Sequence, residues 1–280
     1  MAGDVGLTAL LVAAARAQEA ARPDSLAGDE FAEHFVRAAG LDWPVSWSAA
    51  VDDSPVWGRL GRYFGLRTRV LDDFVPGTPQ TVFLGAGLDT RAFRLDWPSD
   101  SHVFELDRAA VLGFKHRVLA SVGAVPLVKR TPVEVDLRGN WSAALIDAGF
   151  YPGLPTTWVA EGLLPYLSAT AETSLMRTLS TLSEPGSRLF YEAKLAVEGP
   201  EVRASPIYTG TLAETGIDLL GLFADHPRPD SAALLASLGW GVTVNTCFDF
   251  TTRLGAGPLP VAADPLASNR WVIATTTPSP

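Results

Sequence analysis

One stretch, residues 81–107, constrains the fold of this chain more than any other. An apolar run over residues 81–84 ends directly in Gly-Ala-Gly, a pattern typical of a buried strand that stops at a tight turn. A second apolar run ends in Asp107, 20 residues after Gly87. Open α/β sheets hold nucleosides with such a turn and such an acid, because the acid accepts hydrogen bonds from ribose hydroxyls.

The glycine pattern by itself is a weak signal, and its details exclude several cofactor classes. Thr90 stands where the dinucleotide fingerprint has its third glycine, so an NAD-type site is disfavoured. The chain has no G-x-x-x-x-G-K-[ST] phosphate loop and no G-x-S-x-G nucleophile elbow. The pattern therefore favours a nucleoside cofactor without a pyrophosphate, and S-adenosyl-L-methionine fits.

Strands and helices alternate through the middle of the chain, which predicts an α/β fold with a parallel sheet and helices on both faces. Helices come first, before residue 76, and the tail TTTPSP is expected to be disordered. The predicted strands span residues 81–84, 103–106, 131–135, 157–160, 188–192, 242–248 and 270–274.

Four residues follow the carboxyl ends of predicted strands: Gly85, Asp107, Asp136 and Glu161. Ligands of open α/β sheets bind beyond these ends, so we expect the four to converge on one site. The glycine turn would let the backbone approach the amino-acid part of the cofactor, Asp107 would hold the ribose, and Asp136 could accept a bond from the adenine amino group. Two alternatives stay open: Asp107 could cap the helix that follows it, and Asp136 could lie in a surface turn.

Composition limits the classes of binding partner and the cellular compartment that we expect for this protein. A formal net charge of −9 argues against nucleic acid and anionic lipid as partners. A single cysteine, Cys247, excludes an internal disulfide, and the four histidines lack metal-ligand spacing, so we expect no metal. The sequence shows no signal peptide and no run of about 18 apolar residues, which predicts a cytoplasmic protein.

Linked motifs along the first two thirds of the chain resemble the leucine carboxyl methyltransferase family of S-adenosyl-L-methionine-dependent O-methyltransferases, including its actinobacterial branch that acts on polyketides. The motifs are AAARAQEAARPDSLAGDEFAEHFV, GLRTRVLDDFV, LGAGLDTRAFRL, FELDRAAVLGFKHRVL, VDLRGNW, WVAEGLLPYLS and LSEPGSRLFYEAK. The resemblance implies a Rossmann-like class I methyltransferase sheet with an N-terminal helical cover and an inserted cap. We divide the chain accordingly into a helical cover (1–75), a cofactor-binding α/β core (76–195), a substrate cap (196–230) and the rest of the core (231–280).

The resemblance also implies a role for each matching position. Arg67 would meet the cofactor carboxylate, with nearby Arg69 as the alternative, and Arg16 would cover the cofactor. Glu161 would lie beside the cofactor amine. Gly85 and Gly87 match the glycine turn, Asp107 the ribose acid, and Asp136 with Leu137 the adenine contact. One departure is Pro165, which could alter the loop below the pocket.

The predicted activity is methyl transfer to an oxygen, most simply a carboxylate, of a small molecule such as a polyketide or other natural product. A carboxylate is already a nucleophile at neutral pH, so alignment suffices and no general base is needed. For a hydroxyl acceptor, Tyr208 and His226 in the cap are the candidate bases. The alternatives are methylation of a protein C-terminal carboxylate and a catalytically inactive binding protein.

Overall fold

A seven-stranded sheet forms the centre of the computed structural model, which describes residues 6–194, 198–222 and 228–277. The strand order is β3-β2-β1-β4-β5-β7-β6. The strands are β1 (Gln80–Leu84), β2 (His102–Asp107), β3 (Lys129–Glu134), β4 (Thr156–Ala160), β5 (Arg188–Lys194), β6 (Trp240–Asn245) and β7 (Asn269–Thr276).

The first five strands are parallel, but the sheet as a whole is mixed. β7 pairs antiparallel with both β5 and β6. The prediction of a parallel sheet is therefore wrong for its last part, because apolar alternation marks a strand without giving its direction. β7 also continues through Thr276, so the first residues of the TTTPSP tail are ordered in the sheet rather than disordered.

Helices cover both faces of the sheet, as the sequence predicts. Alternate residues of β1 belong to two separate apolar clusters: Phe83 to one, and Val82 and Leu84 to the other. The helices are α1 (Leu7–Ala20), α2 (Ala32–Ala38), α3 (Ala49–Asp52), α4 (Gly61–Phe74), α5 (Arg91–Arg94), α6 (Ala109–Ser121), α7 (Trp141–Asp147), α8 (Ala169–Thr181), α9 (Pro200–Arg203), α10 (Pro206–Thr215), α11 (Leu219–Leu222), α12 (Ser231–Ser237) and α13 (Cys247–Leu254). Shorter turns are a π-helical turn (Pro55–Leu60) and two 3₁₀ helices (Leu164–Tyr166 and Pro265–Ser268).

One predicted strand, residues 242–248, ends early. β6 stops at Asn245, and a capping box begins α13: the Thr246 amide donates to Asp249 Oδ2 at 2.6 Å, and the Thr246 side chain accepts from the amide at the third helical position. This reciprocal pairing satisfies amides that a helix start leaves open, which explains why the apolar run changes to a helix here. The four-part division of the chain stays a prediction.

A buried ion cluster joins β2, β3 and α6 next to the end of β2. Lys115 Nζ and Arg130 Nη2 each lie 2.7 Å from Glu105 Oε2, and both Lys115 and Glu105 are completely buried. Burial alone would raise the pKa of Glu105, but the two cations lower it below its usual range. A buried carboxylate needs such partners, so the cluster holds β2, and with it Asp107, against α6.

Replacement of Lys115 by Met should lower the free energy of unfolding by about 3 kcal/mol, because Glu105 then keeps only Arg130 as a partner. Urea denaturation measures the change. Arg117→Met, at an exposed position of the same helix, is the control and should change stability by less than about 0.5 kcal/mol. If Lys115→Met lowers the free energy of unfolding by less than about 1 kcal/mol, Arg130 alone is sufficient to balance the charge of Glu105.

Candidate functional site

A cavity of about 570 Å³ opens at the carboxyl ends of the parallel strands. All the site residues that the sequence predicts line it, with the exception of His226, which lies outside the described residues. The predicted residues along its wall are Arg16, Arg67, Gly85, Gly87, Asp107, Asp136, Leu137, Glu161 and Tyr208.

The glycine turn after β1 has a left-handed backbone at both glycines. Gly85 has φ 69° and Gly87 has φ 49°, a region that favours glycine. A Cβ atom on Gly85 would also come within 3.1 Å of Leu163 Cδ1. The turn is fixed to β2 because the amides of Gly85 and Ala86 both donate to the Leu106 carbonyl at 2.9 Å.

Asp107 connects this turn to the end of β2. Its Oδ2 accepts a hydrogen bond from the Gly87 amide, and its Oδ1 accepts one from the Arg108 amide, both at 2.7 Å. Since α6 begins at Ala109 with Arg108 as its N-cap residue, Asp107 is not the capping residue of that helix. The carboxylate is half-buried and lies on the cavity wall.

Asp136 lies in a turn at the outer end of the cavity. Its carboxylate accepts hydrogen bonds from the amide and Nε of Arg138, both at 2.9 Å, and the side chain is 46% exposed. Hydrogen bonds from Arg138 lower the pKa of Asp136 to about 2. Asp136 thus lies in a surface turn, as the alternative interpretation expected. It also lies on the cavity wall beside Leu137, within reach of a ligand.

Arg67 is buried on α4 between two carboxylates. Its Nε lies 2.8 Å from Glu161 Oε1, and its Nη1 donates to Glu192 Oε2. Arg69, the alternative in the sequence, is 46% exposed and pairs with Asp73 on its own helix. The structure therefore places Arg67, not Arg69, on the cavity wall.

Glu161 follows β4 and has a second cationic partner. Arg91 Nη1 lies 3.0 Å from Glu161 Oε2, and Arg91 Nε is bound to Asp72 at 2.8 Å. Burial would raise the pKa of Glu161, but Arg67 and Arg91 outweigh it and lower the pKa to about 2. Glu161 is accordingly a carboxylate at any physiological pH.

Arg16 joins α1 to the glycine turn. Its Nη2 donates to the Leu88 carbonyl at 2.7 Å, and its Nη1 lies 3.1 Å from Asp29 Oδ2. The buried Arg16 Nε has no hydrogen-bond partner among the described residues. Arg16 therefore lies on the cavity wall and ties the N-terminal helix to the glycine turn.

Tyr208, on α10, also lines the cavity and is held by two hydrogen bonds. Lys194 Nζ lies 2.7 Å from its hydroxyl, which donates to Glu198 Oε2 at 2.6 Å. Burial and the neighbouring Glu198 raise the pKa of Tyr208 well above its usual value. A hydroxyl with a raised pKa is a poor general base near neutral pH.

Within residues 6–194, 198–222 and 228–277, no group of His, Cys, Asp and Glu side chains is placed to hold a metal ion. No helix of this part of the chain has the length and apolar character needed to span a bilayer.

Comparisons with known proteins identify the family of the chain. Residues 9–180 match the sequence model of leucine carboxyl methyltransferases. The chain belongs to the leucine carboxyl methyltransferase family. Membership makes it an S-adenosyl-L-methionine-dependent methyltransferase, as the sequence predicts.

Relatives and a solved structure agree with the family. A Streptomyces coelicolor protein, assigned by name to the S-adenosyl-L-methionine-dependent methyltransferases, is 56% identical over 97% of this chain and 93% of its own. A similarly named Saccharopolyspora erythraea protein is 44% identical over 85% of this chain and 84% of its own. A crystal structure from Thermobifida fusca, assigned by name to the methyltransferases, aligns with a TM-score of 0.51 at 17% identity over 94% of each chain and supports the fold.

Several residues of this methyltransferase site escape the sequence analysis. Glu192 accepts hydrogen bonds from Tyr63, Trp271 and the Gly162 amide in addition to Arg67. The sequence contained a usable signal for Glu192, because this acid is the last residue of the predicted strand 188–192. The contacts with Tyr63 and Trp271 join residues that are far apart in sequence, and no local pattern reveals them.

The lowered pKa of Glu161 predicts acid sensitivity. A carboxylate whose pKa falls on folding stabilises the protein above its unfolded pKa of about 4.3, and this contribution is lost as the pH falls towards 2. Between pH 6 and pH 3 the wild type should therefore lose roughly 2 kcal/mol more stability than Glu161→Gln. Urea denaturation at each pH measures this, and the exposed Glu134→Gln should behave as the wild type. Equal pH slopes for Glu161→Gln and the wild type would contradict the assignment.

Proposed function

We propose that the chain is an O-methyltransferase that transfers the methyl group of S-adenosyl-L-methionine to the carboxylate of a small molecule, such as a polyketide or another natural product. The observation that carries the proposal is the convergence of Arg67, Glu161, the glycine turn and Asp107 on one cavity. Its volume of about 570 Å³ is within the usual range of ligand pockets, about 300–1,000 Å³.

The methionine end of the cofactor suits the Arg67–Glu161 pair. A guanidinium and a carboxylate complement the two ends of a zwitterion, and both are present here, 2.8 Å apart and mostly buried. The amino-acid carboxylate would bind Arg67, and the amine would bind Glu161. Gly85 and Gly87 would let the backbone approach, since neither carries a side chain.

The nucleoside end suits the next two strand ends. The Asp107 carboxylate already accepts two backbone hydrogen bonds, which fix its orientation, and it retains acceptor capacity for the ribose hydroxyls. Asp136 and Leu137 lie at the following strand end, where an acceptor and an apolar side chain suit adenine. The proposed contacts at the ends of β1, β2 and β3 would follow the cofactor from its amino-acid part through the ribose to the adenine.

The sulfonium of the bound cofactor supplies an activated methyl group. An acceptor carboxylate oxygen would attack the methyl carbon in line, the electron pair of the C–S bond would stay with sulfur, and the products would be a methyl ester and S-adenosyl-L-homocysteine. No proton moves, because the carboxylate is ionised beforehand. The residues of the cavity contribute by orienting the two reactants and excluding water.

The tyrosines and Glu161 on the wall favour an acceptor that needs no deprotonation. The described lining residues include no histidine and no cysteine. Burial raises the pKa of Tyr63, Tyr166 and Tyr208, and the pKa of Glu161 is about 2. These groups are poorly matched to removing a proton from a hydroxyl near neutral pH, whereas a carboxylate acceptor requires no such step.

Asp107→Ala should weaken the binding of S-adenosyl-L-homocysteine about 10- to 150-fold, because charge-assisted hydrogen bonds to the ribose are lost. Isothermal titration calorimetry measures the affinity, and thermal unfolding checks that the fold persists. Asp100→Ala, in the exposed loop before β2, is the control and should bind as the wild type. Unchanged affinity in Asp107→Ala would refute the ribose contact.

The acceptor chemistry can be read from the alkali stability of the product. The enzyme is incubated with methyl-labelled S-adenosyl-L-methionine and a panel of aliphatic and aromatic carboxylic acids, with the corresponding alcohols and phenols as controls. We expect label in products of the acids that alkali releases as methanol, since esters hydrolyse and ethers do not. Alkali-stable label on the alcohols or phenols would replace carboxylate methylation with hydroxyl methylation. Failure to bind S-adenosyl-L-homocysteine would instead favour a catalytically inactive binding protein.

A further inference from the structure

Glu192, in β5, lines the cavity but has no part in the cofactor contacts proposed above. Its carboxylate is mostly buried and accepts hydrogen bonds with both oxygens. Oε1 accepts from the Tyr63 hydroxyl and, at 3.2 Å, from Trp271 Nε1. Oε2 accepts from Arg67 Nη1 and, at 3.1 Å, from the Gly162 amide. One carboxylate therefore joins α4, the loop after β4 and β7 at the wall of the cavity.

The two aromatic donors fix the orientation of this carboxylate. Tyr63 and Trp271 are buried, and the Tyr63 hydroxyl also accepts a hydrogen bond from Trp271 Nε1 at 2.9 Å. Burial and the charge of Glu192 raise the pKa of Tyr63 well above its usual value, so the hydroxyl keeps its proton and remains a donor. Because Oε1 is held on this side, Oε2 is turned towards Arg67 and Gly162.

Oε2 in turn fixes the guanidinium of Arg67. Arg67 Nε lies 2.8 Å from Glu161 Oε1, Nη1 donates to Glu192, and the guanidinium carbon lies 4.8 Å from the centre of the Phe64 ring. In the described part of the chain Nη2 makes no hydrogen bond, so it is the nitrogen that remains for a ligand. Loss of the Glu192 contact would release Nη1, and the guanidinium could then turn towards Glu161, its remaining partner.

The same oxygen of Glu192 holds the loop after β4. Its second donor is the amide of Gly162, which has φ 62°, a left-handed backbone that favours glycine. Glu161 precedes this glycine directly, and the following Leu163 lies within 3.1 Å of the position of a Cβ atom on Gly85. The loop thus lies against the glycine turn, and Oε2 sets it relative to the guanidinium.

We propose that Glu192 is a positioning residue of the cofactor site, which acts through Arg67 and does not itself touch the cofactor. It places the guanidinium to receive the carboxylate of the amino-acid part. The inference rests on the proposed function, in which Arg67 binds that carboxylate, and adds the residue that orients Arg67. A guanidinium held by fixed partners loses little side-chain freedom when the ligand binds, which favours binding.

The test compares two ligands that differ in the amino-acid part alone. S-adenosyl-L-homocysteine has this part, whereas 5′-methylthioadenosine has a methyl group on sulfur in its place. Isothermal titration calorimetry measures both affinities in the wild type, Glu192→Gln and Tyr63→Phe. Glu184→Gln, at an exposed position just before β5, is the matched control.

Glutamine has the size of glutamate but a single acceptor oxygen, so it cannot accept from both pairs of donors. We expect Glu192→Gln to weaken the binding of S-adenosyl-L-homocysteine about 5- to 30-fold, and Tyr63→Phe, which keeps the carboxylate, about 2- to 5-fold. The affinity for 5′-methylthioadenosine should change less than about twofold in every variant, because it has no group for Arg67 to bind. Glu184→Gln should bind both ligands as the wild type does.

A double-mutant cycle shows whether Glu192 acts through Arg67. In an Arg67→Met background, Glu192→Gln should cause no further loss of S-adenosyl-L-homocysteine affinity, because the guanidinium that it orients is absent. Additive losses would mean that Glu192 contacts the cofactor directly and would overturn the positioning role.

The remaining outcomes separate this inference from the function on which it rests. Equal weakening of both ligands in Glu192→Gln, or unchanged affinity for both, would overturn the inference while the wild type still binds S-adenosyl-L-homocysteine. If Glu192→Gln does not fold, Tyr63→Phe decides: a loss confined to S-adenosyl-L-homocysteine supports the inference, and an equal loss or none refutes it. Failure of the wild type to bind S-adenosyl-L-homocysteine, or normal binding by Arg67→Met, would instead refute the proposed function or its Arg67 contact.

Discussion

The buried guanidinium of Arg67 joins three segments around the cavity. It contacts Glu161 after β4 and Glu192 in β5, while its own backbone belongs to α4. A buried charge is tolerated only when oppositely charged groups surround it. The helix that precedes the sheet, the loop after β4 and the end of β5 must therefore be in position together, and the cavity takes its shape from that requirement.

The same arrangement makes the site rigid before any ligand arrives. Arg67 has two carboxylate partners, Glu161 has two arginine partners, and Glu192 also accepts from Tyr63 and Trp271. Preorganised charges of this kind do not have to reorient during a reaction, which lowers the barrier of a charge-changing step.

Much of the fold and half of the site could be predicted from local sequence. The first five strands are short apolar runs that end in glycine or an acid, so both their existence and the edge that carries Gly85, Asp107 and Asp136 were visible. The antiparallel direction of β7 could not be predicted, because contacts between segments that are distant in sequence decide how strands pair. The end of β6 was misplaced, although Thr246 and Asp249 have the spacing of a capping box.

The residues that the sequence analysis missed have a common physical origin. Tyr63 and Trp271 meet Glu192 through tertiary contacts, and each of these two aromatic residues looks like an ordinary core residue in its own segment. The contact of Lys194 with the Tyr208 hydroxyl likewise joins β5 to α10. Roles that depend on the three-dimensional meeting of segments are invisible to periodicity and spacing.

The position of β7 between β5 and β6 has a consequence for biosynthesis. The strand nearest the end of the chain fills an interior slot of the sheet, and its Trp271 indole reaches the Tyr63 hydroxyl at 2.9 Å. A nascent chain on the ribosome can form β1–β5 before β7 is synthesised, but it then exposes the edge of β5 and lacks the Trp271 contact to the Glu192 cluster. The unpaired edge of β5 is therefore exposed to aggregation until β7 pairs with it.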